Sequence, residues 1–183
     1  MNPRTLIITA LLAGQLTACS FTPEPGPDSV FYSPPVGSQL RLNVAITIPA
    51  HDTDIYIQDG KVQSSYWSVD AYYPHCNFEL RTRTAVARQV EPDTFIITRV
   101  VRDIENVLLN NPVRVAGFGS GDTAPPHEDY MVIMDLRSDT QSDVMRMTCQ
   151  HWEDPNEGNH LTINEMRKAL GKLFTLTLAS NKR

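Results

Sequence analysis

The stretch QLRLNVAITIP, residues 39–49, decides the fold class. Its apolar side chains fall at every second position, from Leu40 through Val44 to Ile48. This alternation is the period-2 pattern of a strand that buries one face, and Pro49 ends it. We therefore expect one continuous strand here, at the start of a domain built mainly from β-strands.

The same alternation returns in later segments of the chain. Ile55 and Ile57 alternate with polar neighbours, and the Asp59-Gly60 pair that follows is typical of a two-residue hairpin turn. Residues 102–110 suit a strand and one face of a helix equally well, and the sequence does not decide between them. Further strands are predicted at 76–80, 94–101, 130–136, 144–152 and 174–178.

One short helix is predicted near the C-terminus, at about 162–171. Thr162 and Glu165 have the spacing of a capping box, and Gly171 is placed to end the helix. The predicted fold class is therefore mainly β, an antiparallel sandwich or small barrel with this one helix.

The composition sets limits on the class of protein. The chain has 183 residues, of which 41% are hydrophobic and 20% charged, and this suits one globular domain. The formal net charge is −5. A nucleic-acid-binding protein normally presents a basic face, so we expect no nucleic-acid partner.

The first twenty residues, MNPRTLIITALLAGQLTACS, have the organisation of a secretory signal. Arg4 gives a positive start. Residues 6–16 are mostly apolar but are shorter than the ~20 residues that a membrane-spanning helix needs. Residues 16–19, Leu-Thr-Ala-Cys, resemble the lipobox of bacterial lipoproteins, in which a small residue precedes an obligatory cysteine.

The resemblance implies that residues 1–18 are removed as a signal peptide and that Cys19 carries the lipid. Several acyl chains together hold a protein on a membrane effectively for good. Ser20 follows the cysteine, in place of the aspartate that retains many such proteins at the inner membrane. We therefore expect a protein that is lipid-anchored in the bacterial outer membrane, with its domain facing the periplasm.

The segment after the lipobox is rich in proline. Five of the thirteen prolines lie between Phe21 and Gly37, and such chain favours extended polyproline II structure. We expect residues 19–37 to form the lipidated cysteine and a tether, followed by a single β-rich domain at 38–183. The alternative is a tail that packs on the surface of that domain.

Cys76 and Cys149 are the two cysteines outside the lipobox. A domain that faces the periplasm lies in an oxidising compartment, where thiol pairs become disulfides. Both cysteines fall in strand-like segments at apolar positions. We therefore expect a structural disulfide between them.

The string Met145-Arg-Met147-Thr-Cys149-Gln-His151 supports an alternative function. On a strand with strict alternation, these two methionines, the cysteine and the histidine would share one face. Thioether, thiol and imidazole are the ligands that suit copper(I), and His75 would join them if the strands paired in register. The same residues are also typical of an ordinary core.

The densest aromatic region comprises Tyr66, Trp67, Tyr72 and Tyr73. Exposed aromatic rings of this kind could stack on sugar rings, and peptidoglycan would lie within reach of the tether. Aromatic residues that alternate in strands also serve ordinary sheet packing. These four residues are therefore candidate ligand-binding residues, with packing as the alternative.

Motifs for catalysis are missing. The chain contains neither Gly-x-Ser-x-Gly nor Ser-x-x-Lys, and the histidines lack the spacing of a zinc site. Residues 127–129, His-Glu-Asp, place an acid beside an imidazole, but we interpret them as a solvated loop. The sequence favours a protein without enzymatic activity and without a cofactor, and does not decide the point.

Three segments carry a further resemblance, namely IPAHDTDIYIQDG within residues 40–60, YYPHCNFELR at 72–81 and VEPDTFIITRV at 90–100. They resemble a recurring set of uncharacterised proteobacterial outer-membrane lipoproteins, and this resemblance implies no known activity. We expect a binding or structural module whose partner is another envelope protein or peptidoglycan. The alternative is a periplasmic copper-handling protein.

Overall fold

Ten strands and one α-helix make up the regular structure of the computed structural model, which describes residues 25–107 and 127–180. The elements are β1 (Gln39–Leu42), β2 (Ile46–Ile48), β3 (Asp54–Gln58), β4 (Lys61–Gln63), β5 (His75–Leu80), β6 (Arg88–Val90), β7 (Thr94–Val107), β8 (His127–Arg137), β9 (Val144–Glu153), α1 (Ile163–Leu170) and β10 (Phe174–Thr177).

Eight of these strands form one curled antiparallel sheet, a half-barrel. Their order across the sheet is β10-β1-β7-β8-β9-β5-β3-β4, and β2 pairs with β6 in a separate two-stranded ribbon. The prediction of a mainly β fold with one short helix near its end is confirmed.

The strand predicted across residues 39–49 is interrupted, so this part of the prediction is wrong. The side-chain amide of Asn43 donates to the carbonyl of Lys172 and to the hydroxyl of Thr175, each at 3.0 Å. The chain turns away from the large sheet at this point, and Val44 is exposed. The alternation continues on both sides, but β1 and β2 belong to different sheets.

The predicted hairpin at 55–62 is confirmed, with β3 and β4 joined by a two-residue turn. Asp59 and Gly60 both have positive φ angles, 50° and 72°, as this turn requires. Of the undecided segment 102–110, residues 102–107 continue β7 as a strand. Residues 108–110 lie outside the described residues.

The helix forms as predicted and covers the inner, concave face of the sheet. The Thr162 hydroxyl accepts from the Glu165 N–H at 3.2 Å, and the Glu165 carboxylate accepts from the Thr162 N–H at 2.8 Å. These two bonds satisfy amide groups that the first turn of a helix leaves without partners. Gly171 forms the C-cap with a φ of 56°.

The core lies between α1 and the inner face, where α1 packs against β3, β5 and β10. The ring of Phe78 lies 5.3 Å from that of Phe174 and 5.8 Å from that of Phe95, measured between centroids. All three side chains are fully buried, as are Met166 and Leu170 of the helix. This packing makes the sheet a rigid support for its other, outer face.

The described part of the proline-rich segment, residues 25–37, makes direct contacts with the domain. The carbonyl of Pro27 accepts a hydrogen bond from the Ile163 N–H at 3.0 Å. The carbonyl of Val30 accepts one from the Arg102 guanidinium at 2.7 Å. Over residues 27–37, these bonds favour the second of the two alternatives for this segment, in which the chain packs on the surface of the domain.

The predicted signal peptide, residues 1–18, and the predicted lipidation site, Cys19, lie outside the described residues. Across residues 25–107 and 127–180, no helix has the length and apolar character needed to cross a membrane.

Candidate functional site

The register of the strands divides the side chains of the sheet between its two faces. Val132 on β8 pairs with Cys149 on β9, and both are buried in the core on the inner face. Asp129 pairs with Trp152, and each lies three positions from the residue just named. Because side chains alternate along a strand, Asp129 and Trp152 lie on the outer face.

Two histidines share that outer face. His75 precedes the inward-pointing Cys76 on β5, so its side chain points outward. His127 lies two positions before Asp129 on β8 and therefore has the same orientation. The two imidazoles thus lie on either side of Trp152, which is on the strand between them.

The connection between β4 and β5 closes over these residues. The backbone N–H of Trp152 donates to the carbonyl of Ala71 at 2.8 Å, which fixes the connection to the end of β9. The ring of Tyr72 packs edge-on against Trp152 and against His127, with centroid separations of 5.8 Å and 5.2 Å. Its hydroxyl lies 3.1 Å from Nε2 of His127.

Buried polar atoms without a hydrogen-bond partner concentrate here. Within the described residues five such side-chain atoms occur, and the only one outside this region belongs to Arg88. The four in this region are Nε2 of His75, Nδ1 of His127, Oδ1 of Asp129 and Nε1 of Trp152. Buried polar groups in proteins are nearly always satisfied, so a concentration of exceptions requires an explanation.

We name this group the outer-face cluster. It comprises the four residues with unpartnered atoms and the two tyrosines beside them, namely Tyr66, Tyr72, His75, His127, Asp129 and Trp152.

The electrostatics of the cluster centre on Asp129. Burial raises the pKa of this carboxyl to about 7. The Trp152 N–H lies close enough to the carboxylate to oppose the rise, although the two groups do not have the geometry of a hydrogen bond, and the negative charge of Glu105 adds to the rise. Burial raises the pKa of Tyr66 as well, and the nearby charge of Asp129 adds to this effect. Burial lowers the pKa of His75, which keeps its imidazole neutral at neutral pH. Burial therefore shifts both Asp129 and His75 towards their neutral forms.

These groups define what the cluster can bind. The indole N–H is a donor, and the Asp129 oxygen is an acceptor when ionised. Nε2 of neutral His75 is an acceptor, because its Nδ1 donates to the carbonyl of Tyr73. Aromatic rings beside them offer apolar faces. A ligand with alternating donors and acceptors and with apolar C–H surfaces satisfies both requirements.

The structure separates the four aromatic residues that the sequence singled out. Tyr66 and Tyr72 belong to the outer-face cluster. Trp67 packs its edge against Tyr66 at 5.8 Å but is otherwise 90% exposed. Tyr73 is 63% exposed and lines a neighbouring pocket.

That pocket lies between the β3–β4 turn, the connection after β4, and α1, and has a volume of about 310 Å³. We name it the β3–α1 pocket. Its lining residues are Gln58, Asp59, Asp70, Tyr73, Pro74 and Lys168.

The predicted cysteine pair lies in the core. Cys76 and Cys149 face each other on β5 and β9 and are joined by a disulfide. The thiolate that would have been the best copper(I) ligand is therefore absent.

The remaining members of the soft-ligand set do not share one face. The register shifts at the bulge opposite Met145, so that Val144 and Met147, three positions apart, are both buried in the core. His151 lies at the inner side with Nε2 2.7 Å from the carbonyl of Asn159. His75 lies on the outer face, on the opposite side of the sheet. No group of three or more metal-ligating histidine, cysteine or acidic side chains occurs among the described residues.

Sequence analysis missed Asp129, His127 and Trp152. Residues 127–129 form the first part of β8, so their interpretation as a solvated loop is wrong. A signal was present, because residues 127 and 129 have the i, i+2 spacing that places two side chains on one face of a strand. Their juxtaposition with Trp152 depends on the pairing of β8 with β9, which the sequence pattern leaves open.

The comparisons with known proteins add no assignment. Neither the models of protein families, nor the curated proteins, nor the solved structures that were searched contain a match to this chain.

Proposed function

We propose that this protein is a lipid-anchored module of the bacterial cell envelope that binds peptidoglycan through the outer-face cluster. It acts by binding and carries out no reaction. In this proposal Cys19 anchors the chain in the outer membrane, and the domain faces the periplasm, where peptidoglycan lies.

The observation that carries the proposal is the concentration of four unpartnered buried polar atoms beside aromatic rings. An unsatisfied buried polar group costs about 1–3 kcal/mol. The total here is less than four such costs, because the Trp152 N–H and the Asp129 carboxylate still interact with each other. A ligand that supplies the missing partners recovers that cost as binding energy. The rest of the sheet has no comparable concentration within the described residues.

A glycan has the chemistry that these groups lack. Its hydroxyl and N-acetyl groups both donate and accept hydrogen bonds, which matches His75, Asp129 and Trp152. Its C–H faces pack on aromatic rings such as that of Tyr72, which is half exposed. The polar atoms are buried, so the small hydroxyl and N-acetyl groups of a glycan suit them better than the broad surface of a protein partner.

The position of the N-terminal segment is compatible with this ligand. Because residues 27–37 lie against the domain, a spacer after Cys19 comprises residues 20–26. Seven residues of extended chain span on the order of 20 Å. The domain would therefore stay close to the membrane surface, where only envelope components are within reach.

The test is co-sedimentation of the full mature chain, purified in detergent, with isolated peptidoglycan sacculi. Tyr72→Ala and Trp152→Ala each remove an aromatic face of the cluster. Phe31→Ala is the matched control, because Phe31 is an aromatic residue that is 76% exposed and lies outside the cluster. We expect the first two variants to bind at least about tenfold more weakly and the control to bind as the wild type does.

Two results would overturn the proposal. One is a wild-type chain that stays in the supernatant at every concentration of sacculi. The other is equal binding by all three variants, which would place the interaction outside the outer-face cluster. Circular dichroism of each variant establishes that a loss of binding is not a loss of fold.

A further inference from the structure

We infer that the β3–α1 pocket is a second subsite, which binds a short peptide carrying both an ammonium group and a carboxylate, as the stem peptide of peptidoglycan does. This inference rests on the proposed function and extends it. The protein would then bind the glycan at the outer-face cluster and the attached peptide in the pocket.

The pocket presents charges of both signs that have no partner of their own. Asp59 and Asp70 contribute carboxylates, and Lys168 contributes an ammonium group. The ion pairs of the described residues are Arg88–Asp143, Arg99–Asp135 and Arg146–Glu79, so none of the three takes part in one. One oxygen of Asp70 accepts from the Tyr72 N–H at 3.2 Å, which leaves its other oxygen for a ligand.

The walls of the pocket are held in place by hydrogen bonds. The side-chain amide of Gln58 donates to the carbonyl of Asp70 at 2.8 Å and accepts from its N–H at 3.0 Å. The same amide nitrogen lies 3.4 Å from the carbonyl of Tyr73. The connection that carries Asp70 and Tyr73 is thereby fixed against β3. Because the pocket is already formed without a ligand, little free energy is spent on ordering its walls when a ligand binds.

The opposite wall is equally fixed. The N–H of Gly60 donates to the carbonyl of Ala169 at 2.8 Å, which joins the β3–β4 turn to the end of α1. The approach is so close that a Cβ on Gly171 would lie 2.4 Å from the Cα of Gly60. This contact therefore fixes the turn that carries Asp59 next to the helix that carries Lys168, and both residues line the pocket.

The charges select the class of ligand. Two carboxylates bind an ammonium group, and one lysine binds a carboxylate as a point charge. A simple anion would meet two acidic groups, and a simple cation would meet the lysine, so a ligand with both charges fits best. A volume of about 310 Å³ lies at the lower end of the range for small-molecule sites, which suits a short peptide.

The pocket and the outer-face cluster share the connection between β4 and β5. Tyr72 and Tyr73 are consecutive residues, and the first packs in the cluster while the second lines the pocket. His75 ties the two together, because its Nδ1 lies 3.0 Å from the carbonyl of Tyr73. The same connection therefore contributes to both sites, as binding of a glycan and its attached peptide requires.

The experiment is calorimetric titration of the full mature chain in detergent with three probes. These are peptide-free glycan strands, the free stem peptide, and a glycan fragment that retains its peptides. The variants are Lys168→Met and Asp59→Asn, the latter chosen because asparagine tolerates the positive φ of this position. Lys172→Met is the control, since it removes the same charge four residues further along, outside the lining.

We expect each pocket variant to bind the stem peptide at least about tenfold more weakly than the wild type, and the control to bind it equally well. Affinity for peptide-free glycan strands should be the same in all four proteins. Failure of the stem peptide to bind the wild type, or equal affinity for it in all variants, would overturn this inference and leave the glycan site standing. Failure of the glycan strands to bind would overturn the proposed function instead.

Discussion

Two carboxylates at opposite ends of the β7–β8 hairpin have opposite environments. Asp93 lies just before β7, and the β8–β9 turn surrounds it with donors. Burial opposes its ionisation, but hydrogen bonds from Ser138, Thr140, the Thr94 N–H and Gln141 together lower the pKa of Asp93 to about 2. At the far end, burial raises the pKa of Asp129 to about 7, and its Oδ1 has no partner among the described residues.

The difference separates a structural carboxylate from a candidate binding carboxylate. At Asp93 both carboxylate oxygens already accept hydrogen bonds from within the chain, so the network stabilises the fold. At Asp129 the chain leaves hydrogen-bonding capacity unused. A carboxyl whose pKa is raised by burial and whose oxygen has no hydrogen bond is a candidate for a functional site.

The largest expected effect on the free energy of unfolding comes from removing the disulfide between β5 and β9. Replacing Cys76 and Cys149 together by alanine removes a crosslink between residues 73 positions apart. The chain-entropy model gives a loss of about 4 kcal/mol in the free energy of unfolding. Urea unfolding of the wild type and of the double variant measures it. A loss below about 1 kcal/mol would contradict the account of the disulfide as a main support of the sheet.

The next largest effect should show that Asp93 supports the fold and takes no part in binding. We expect Asp93→Ala to lower the free energy of unfolding by about 2 kcal/mol, because hydrogen bonds to a charged acceptor are lost. The difference from the wild type should vanish as the pH falls from about 4 towards 2, since a lowered pKa contributes stability only where the group is ionised. Binding to sacculi should not change. Weaker binding in this variant would contradict the assignment of Asp93 to the scaffold.

Asp129→Asn should show the reverse behaviour. A carboxyl whose pKa is raised on folding favours the folded state at low pH and opposes it as the pH rises from about 4 to about 7. We therefore expect the melting temperature of this variant, relative to the wild type, to rise over that range and to level off above it. Binding to sacculi should weaken. A difference in melting temperature that does not vary with pH would contradict the buried environment of Asp129.

The smallest expected effect concerns the copper alternative. Met147 is buried in the core and His75 lies on the other face of the sheet from it. Met145→Leu, at the half-buried bulge position of β9, should therefore leave any measured affinity for copper(I) unchanged. Competition for copper(I) against a chromogenic chelator measures this affinity. A one-to-one complex that the substitution abolishes would support a copper-handling protein instead.

Local patterns were enough to predict most of the fold. The capping box at Thr162 and the turn at Asp59-Gly60 are determined by neighbouring residues, and both are found where the sequence placed them. The break after β1 is not local. It depends on Asn43 reaching Lys172 and Thr175, which are about 130 residues away in the chain.

The candidate site was predictable only in part, for the same reason. Tyr66 and Tyr72 stood out because aromatic residues are dense in that segment. Asp129 and Trp152 did not, because their importance arises from the register between β8 and β9. A one-residue slip of β9 against β8 would move Trp152 to the inner face and separate it from Asp129.

The most direct test of the central claim uses the two tryptophans of the chain. The indole N–H resonances of the ¹⁵N-labelled mature protein are followed while soluble peptidoglycan fragments are added, and Trp67→Phe assigns the two signals. We predict that the Trp152 resonance shifts, because its N–H, which makes no hydrogen bond of normal geometry and interacts only with Asp129, gains an acceptor. It should shift more than the resonance of the exposed Trp67. A Trp152 resonance that does not move at saturating ligand would contradict the account.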